Sequence, residues 1–331
     1  MTTIAIIGSG YMAKTHAAAY SALGYASGIR YICSPRPTTA IAEAPDARLV
    51  SDLATVLGDR SVDIVSVCTP TDTHREIAVR ALQSGKHVLL EKPIALSIAD
   101  ALAISAAASS SGQTLMVAHV VRFFEGYRRA RADVEAGRIG TVLSGRARRL
   151  ITKPESAWWF DDDRSGGVAV DVGIHDFDQM NLFLGTPVTV TSTATDPLGP
   201  IETTIEYRSG GIGQVLTHAD VPAGAPFTSS LNLVGSDGMI DYDFSAGAPT
   251  PGGDAGGVNA YRLSTADGVE SATLLSLDHY TRQVEYFLDC VRGGTDPTFS
   301  PTASAVRALE VALAARQSLL TGAAVPLEER A

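Results

Sequence analysis

Short apolar runs alternate with longer helix-periodic segments from the amino terminus to about residue 120. Residues 3–7, 29–33, 63–68, 88–90 and 114–121 read as strands. Their apolar positions are largely continuous, the pattern of a strand covered on both faces. Residues 14–23, 52–57, 74–84 and 97–109 read as the helices between them, with Ser97 as an N-cap and Gly85 as a stop. Strands separated by helices of this length imply right-handed crossovers and a doubly wound parallel sheet.

The pattern changes after residue 120. A helix near 124–136 is followed by strand-like segments at 141–151, 187–195, 201–208, 212–219, 228–234 and 238–244. Thr203-Thr204-Ile205-Glu206-Tyr207 alternates polar with apolar. That suits an antiparallel sheet with one face packed and the other exposed or paired with a second subunit. The glycines and prolines of 247–257 predict a surface loop, and helices at 278–292 and 301–320 close the chain. The fold class is therefore α/β, with a first domain at 1–120 and a second at 121–331. A chain of 331 residues has length for two such cores.

Composition narrows the function. Apolar residues make up 45% and charged residues 19%, which excludes a disordered chain. The net charge is −10 with no extended basic block, so neither nucleic acid nor an anionic membrane is the expected partner. No apolar stretch approaches the roughly 20 residues of a membrane helix. The start Met1-Thr2-Thr3-Ile4 lacks the basic region of a secretory signal. Cys33, Cys68 and Cys290 are scattered without metal spacing, which predicts reduced thiols, a cytoplasmic protein and no metal.

Candidate chemistry collects at strand ends, where open parallel sheets bind ligands. Gly8-Ser9-Gly10-Tyr11-Met12-Ala13 joins the first strand to the first helix. Gly8 permits the tight turn, Gly10 the approach of a pyrophosphate, and Ala13 close helix packing; the phosphates would meet the helix N-terminus. Glu91-Lys92-Pro93 follows the apolar run 87–90. Proline biases the residue before it toward extended backbone, presenting Lys92 at the carboxyl end of a strand as a cofactor contact or proton-handling group. Beyond the second strand stand Ser34 and Arg36, with no carboxylate before Glu43. A hydroxyl and a guanidinium there favour NADP over NAD; otherwise Arg36 is a solvated loop charge. His74, at the start of its helix, is either a cofactor contact or a structural one.

A second cluster spans 165–178. If the chain is helical from Asp171 onward, Asp171 and His175 share a face, and the carboxylate raises and orients the imidazole as a general base. The alternative is a capping aspartate beside a solvated histidine. His16, His87, His119, His218 and His279 receive no catalytic role. Trp158 and Trp159 are either sugar-stacking or core residues.

These motifs resemble the glucose–fructose oxidoreductase/inositol dehydrogenase/MocA (Gfo/Idh/MocA) family over nearly the whole chain. The resemblance rests on 8–13, Thr69-Pro70 with His74, Glu91-Lys92-Pro93, and Gly166-Gly167 through 171–178. It implies a Rossmann domain followed by an α/β domain with a large, open, mostly antiparallel sheet that builds homodimers or homotetramers. It implies an NAD(P)-dependent dehydrogenase acting on a secondary hydroxyl of a sugar or cyclitol. Lys92, Asp171 and His175 then form the catalytic set, with Arg122 and Tyr280 near the substrate; Trp158 joins them as the sugar-stacking candidate. The cofactor set is Gly8, Ser9, Gly10, Tyr11, Met12, Ser34, Arg36, Thr69, Pro70, His74, Glu91 and Lys92. The alternatives are a non-catalytic dinucleotide sensor and a redox-assisted glycoside-cleaving enzyme of the same fold.

Overall fold

The computed structural model describes residues 2–35, 40–246, 257–275 and 278–328. Arg36 and most of the loop expected at 247–257 lie outside the described residues. The chain forms two compact units, one of Met1–Phe123 with Asp278–Val306 and one of Phe124–Leu277 with Arg307–Ala331. A boundary near 120 misses one feature of this division. Residues 278–306 belong with the first unit because the apolar stripe of their helix, Val284, Phe287 and Leu288, is buried in that unit's core.

The first unit is built from β1 (Ile4–Ile7), α1 (Tyr11–Ala22), β2 (Ile29–Cys33), β3 (Arg48–Val50), α2 (Leu53–Gly58), β4 (Ile64–Val67), α3 (His74–Gln83), β5 (His87–Glu91), α4 (Ile98–Ser111) and β6 (Leu115–Ala118). Its six strands are all parallel, in the order β3-β2-β1-β4-β5-β6. Every residue of β1, β4 and β6 is buried, as their largely apolar runs require. The strand order reverses between β1 and β4, the topological switch point where such sheets bind ligands. The short, largely exposed edge strand β3 had no hydrophobic period to announce it.

Helix α4 starts where a serine can cap it. Ser97 Oγ accepts from the Asp100 amide at 3.1 Å and donates to the Asp100 carboxylate at 2.8 Å. Ser97→Ala should lower stability by about 1 kcal/mol, read as a shifted midpoint of urea unfolding at constant slope.

The second unit contains α5 (Glu125–Glu135), β7 (Val142–Leu150), α6 (Asp162–Ser165), α7 (Gly167–Asp171), α8 (Ile174–Leu184), β8 (Pro187–Ala194), β9 (Ile201–Tyr207), β10 (Ile212–His218), β11 (Phe227–Gly235), β12 (Gly238–Ala246), β13 (Val258–Thr265) and β14 (Gly268–Thr273). After α9 (His279–Gly293) come α10 (Thr302–Thr321) and β15 (Val325–Pro326). The nine strands run β14-β13-β12-β11-β7-β10-β9-β8-β15, antiparallel except for the β7–β10 pair. Strand β9 alternates buried and outward residues, as its polar–apolar sequence predicts. The hairpin β13–β14 has no counterpart among the strands the sequence pattern predicts; β14 is almost wholly exposed and carries no buried period. Helix α8 lies across β7 and β10 with Met180 and Phe177 buried.

Candidate functional site

The glycine turn is shaped by a close crossing. Gly8 has φ +116°, and a Cβ there would stand 2.3 Å from the Cys68 carbonyl oxygen at the end of β4. Its amide also donates to the Cys33 carbonyl at 2.8 Å, so β1, β2 and β4 meet at this residue. Gly10 differs: a Cβ there would meet no protein atom within 4 Å. Packing does not demand glycine at position 10, whereas a pyrophosphate approaching the backbone would. No side chain caps α1 at Gly10, and no acidic residue stands in its first turn. An amide-rich, uncapped helix end beside open space fits a dinucleotide phosphate. Ala13 is fully buried, as close packing of α1 requires. Tyr11 is 74% exposed beside this opening.

Ser34 follows β2 and is buried, receiving a hydrogen bond from Ser9 Oγ at 3.2 Å. It is thereby tied to the glycine turn.

Lys92 stands immediately beyond β5, half-buried. The Lys92–Pro93 peptide is cis. The preceding Glu91 is buried; its Oε1 lies 2.9 Å from His16 Nε2, and its Oε2 accepts from the Lys92 amide at 3.2 Å. His16 is fully buried, with Nδ1 2.7 Å from Ser66 Oγ. Burial alone would lower the His16 pKa, but Cys68 and Glu91 outweigh it and push it up to about 10. This histidine received no role from sequence because its partners lie 50 and 75 residues away.

His74 is held by two backbone carbonyls. It is fully buried, with Nδ1 2.8 Å from the Pro93 carbonyl and Nε2 3.0 Å from the Thr69 carbonyl. It joins the loop after β4 to the loop after β5. Burial lowers its pKa, opposed by the two carbonyls. Thr69 Oγ1 is 2.7 Å from Thr73 Oγ1, closing the same turn, and Thr69 and Pro70 are partly exposed.

In the second unit, Asp171 and His175 do not belong to one regular helix. Helix α7 ends at Asp171 and α8 begins at Ile174. The amides of both Val172 and Gly173 point to the Val168 carbonyl, at 3.0 Å each, which widens the turn between them. A side chain at Gly173 would strike the Ala169 carbonyl at 2.7 Å and the Phe177 ring at 2.9 Å. The four-residue spacing argument therefore fails in its simple form. Both side chains remain partly exposed. Asp171 Oδ2 accepts from Trp159 Nε1 at 2.8 Å, and Trp159 is anchored in a core with Val168, Val172, Ile201 and Ala219. Of the tryptophan pair, Trp159 is thus a core residue that steadies Asp171, and Trp158 is half-buried against the same cluster.

Next to His175, Asp176 is fully buried and forms a bidentate pair with Arg149 of β7 at 2.8 and 2.9 Å. Arg149 Nη2 also donates to Ser229 Oγ at 3.2 Å. Burial raises the Asp176 pKa, and the Arg149 guanidinium opposes it. The pair pins α8 to the sheet one residue from His175. Arg122 is buried and donates to the Phe299 carbonyl at 2.7 Å, a support for the chain before α10. Tyr280 opens α9 with its amide on Asp278 and its ring half-buried on the core of the first unit. Among the described residues, no cluster of His, Cys, Asp or Glu could hold a metal, and no helix is long and apolar enough to cross a membrane.

Comparison with known proteins matches this anatomy. Residues 2–119 match the oxidoreductase family with an NAD-binding Rossmann fold, and residues 127–241 match the GFO/IDH/MocA C-terminal domain. The chain is 26% identical to scyllo-inositol 2-dehydrogenase (NAD(+)) of Bacillus subtilis (strain 168), over 98% of this chain and 96% of the relative. It is 30% identical to D-xylose 1-dehydrogenase (NADP(+)) 2 of Haloferax volcanii, covering 82% of this chain and 83% of the relative. The crystal structure of a putative myo-inositol dehydrogenase from Sinorhizobium meliloti 1021 superimposes with a TM-score of 0.79 at 25% identity, over 99% of this chain and 100% of that one. With both domain types matched in order and a relative of 30% identity along most of its length, the chain belongs to the Gfo/Idh/MocA family of oxidoreductases.

Proposed function

We propose that this protein is an NAD(P)-dependent dehydrogenase that oxidises a secondary hydroxyl of a sugar or cyclitol, or reduces the corresponding ketone. The observation that carries the reading is the open glycine turn after β1, on the same sheet edge as Lys92 after β5. A dinucleotide laid on the uncapped end of α1 follows that edge across the switch point. The bound nicotinamide supplies the hydride acceptor or donor. His175 takes the hydroxyl proton during oxidation and returns one to the ketone oxygen during reduction. The Lys92 ammonium offsets the negative charge developing on that oxygen. Asp171, steadied by Trp159, accepts hydrogen bonds from the substrate's hydroxyls.

The names of the relatives support this substrate class, spanning an inositol and an aldose, and support both cofactors. Ser34 in place of a carboxylate after β2 favours NADP, because a hydroxyl there can hydrogen-bond a 2′-phosphate oxygen. Homodimers or homotetramers through the nine-stranded sheet complete the proposal. The test is a cofactor-reduction screen of inositols, D-xylose and D-glucose with NAD and NADP in parallel. Reduction of either cofactor by a member of the panel is expected, faster with NADP. Faster NAD reduction throughout would reject the cofactor preference, and no reduction with any polyol or sugar would reject the dehydrogenase.

A further inference from the structure

We infer that His16 is a positioning residue for Lys92, acting through the Glu91 carboxylate. The inference rests on the site proposed above and adds to it a group that touches neither substrate nor cofactor. Glu91 uses its two oxygens in different directions, one on the His16 ring and one on the Lys92 backbone amide. The His16 ring is in turn fixed by Ser66 on the neighbouring strand β4. It rides on α1, the helix whose amino end forms the glycine turn. One buried chain therefore links the dinucleotide helix, two central strands and the main chain of the lysine.

Charge gives this chain its rigidity. A carboxylate buried as deeply as Glu91 needs a donor or a counter-charge, and a protonated His16 supplies both. The titratable groups around the histidine are Glu91 from β5, Cys68 after β4, and the buried Tyr20 on α1 beside Ser66 and Cys68. Because the His16 pKa is raised from 6.5 to about 10, the pair's contribution is complete below the lower value and lost as pH climbs through the upper one. The support of Lys92 is intact at neutral pH.

The test uses the full-length protein and the best substrate among myo-inositol, scyllo-inositol, D-xylose and D-glucose. His16→Asn, too short to hold Glu91, should lower kcat by roughly 10²-fold, with dinucleotide KM and fluorescence-read binding of NADH and NADPH changed less than about threefold. His16→Gln returns a donor to the carboxylate and should recover about tenfold of that loss. In protein labelled at histidine, NMR should show His16 protonated until pH rises toward about 10, and titrating at lower pH in Glu91→Gln. A His16→Asn enzyme with full kcat, a loss confined to dinucleotide KM, or a His16 titration unmoved by Glu91→Gln would each overturn the inference. If His16→Asn does not fold, the kcat of His16→Gln and the Glu91→Gln titration decide. Lys92→Met separates the two levels. Full turnover in Lys92→Met rejects the proposed function; its loss alongside a fully active His16→Asn rejects only the positioning role.

Discussion

Replacing His175 with alanine should reduce turnover by about 10²–10⁴-fold while NADH and NADPH bind nearly as in the wild type. The two readouts separate because of where the residue lies. His175 opens α8 in the second unit, whereas the glycine turn, Ser34 and Lys92 belong to the first. His175 is partly exposed, so its removal leaves no large cavity. Steady-state rates with the polyol panel and fluorescence titration of the reduced dinucleotides provide the measurement. A His175→Ala enzyme with undiminished turnover would take this histidine out of proton transfer. Parallel loss of dinucleotide binding would instead point to a folding defect.

Arg149→Leu should destabilise the protein by about 3–5 kcal/mol, the largest stability effect expected here. Asp176 is fully buried, and its carboxylate is held by both arms of the guanidinium at 2.8 and 2.9 Å. Removing the arginine leaves a fully buried carboxylate without its counter-charge, where it must either stay charged at great cost or take up a proton. The paired change Arg149→Leu with Asp176→Leu removes both charges and should recover most of the loss. Denaturant unfolding of the two variants checks the argument; a single variant within 1 kcal/mol of wild type would refute it. A shift of α8 in the single variant would also carry His175, so its kcat should fall even where the protein remains folded.

Much of the first unit could be read directly from residues. Strands buried on both faces need largely apolar runs, so β1, β4, β5 and β6 are legible in the sequence, and Ser97 marks a helix start as a residue type that caps locally. The edge elements β3 and β14 were silent because exposed residues need no period. Lys92 was visible because proline acts on its immediate neighbour. The Asp171–His175 pair was only half visible: the residues were found, but the widened turn at 172–173 depends on Gly173 pressed against Ala169 and Phe177.

By itself the sequence determined the α/β class, the glycine turn, the switch to an antiparallel sheet and the presence of Lys92, Asp171 and His175. Each of these is written in local periodicity or in the backbone preference of adjacent residues. Only the tertiary structure decided that 278–306 joins the first unit, that His74 clamps two carbonyls, and that Trp159 holds Asp171. It alone set His16 against Glu91 and Arg149 against Asp176. Buried polar groups must find partners wherever the fold brings them, and those partners lie 75 and 27 residues away. No local pattern in the chain encodes a pairing at that range.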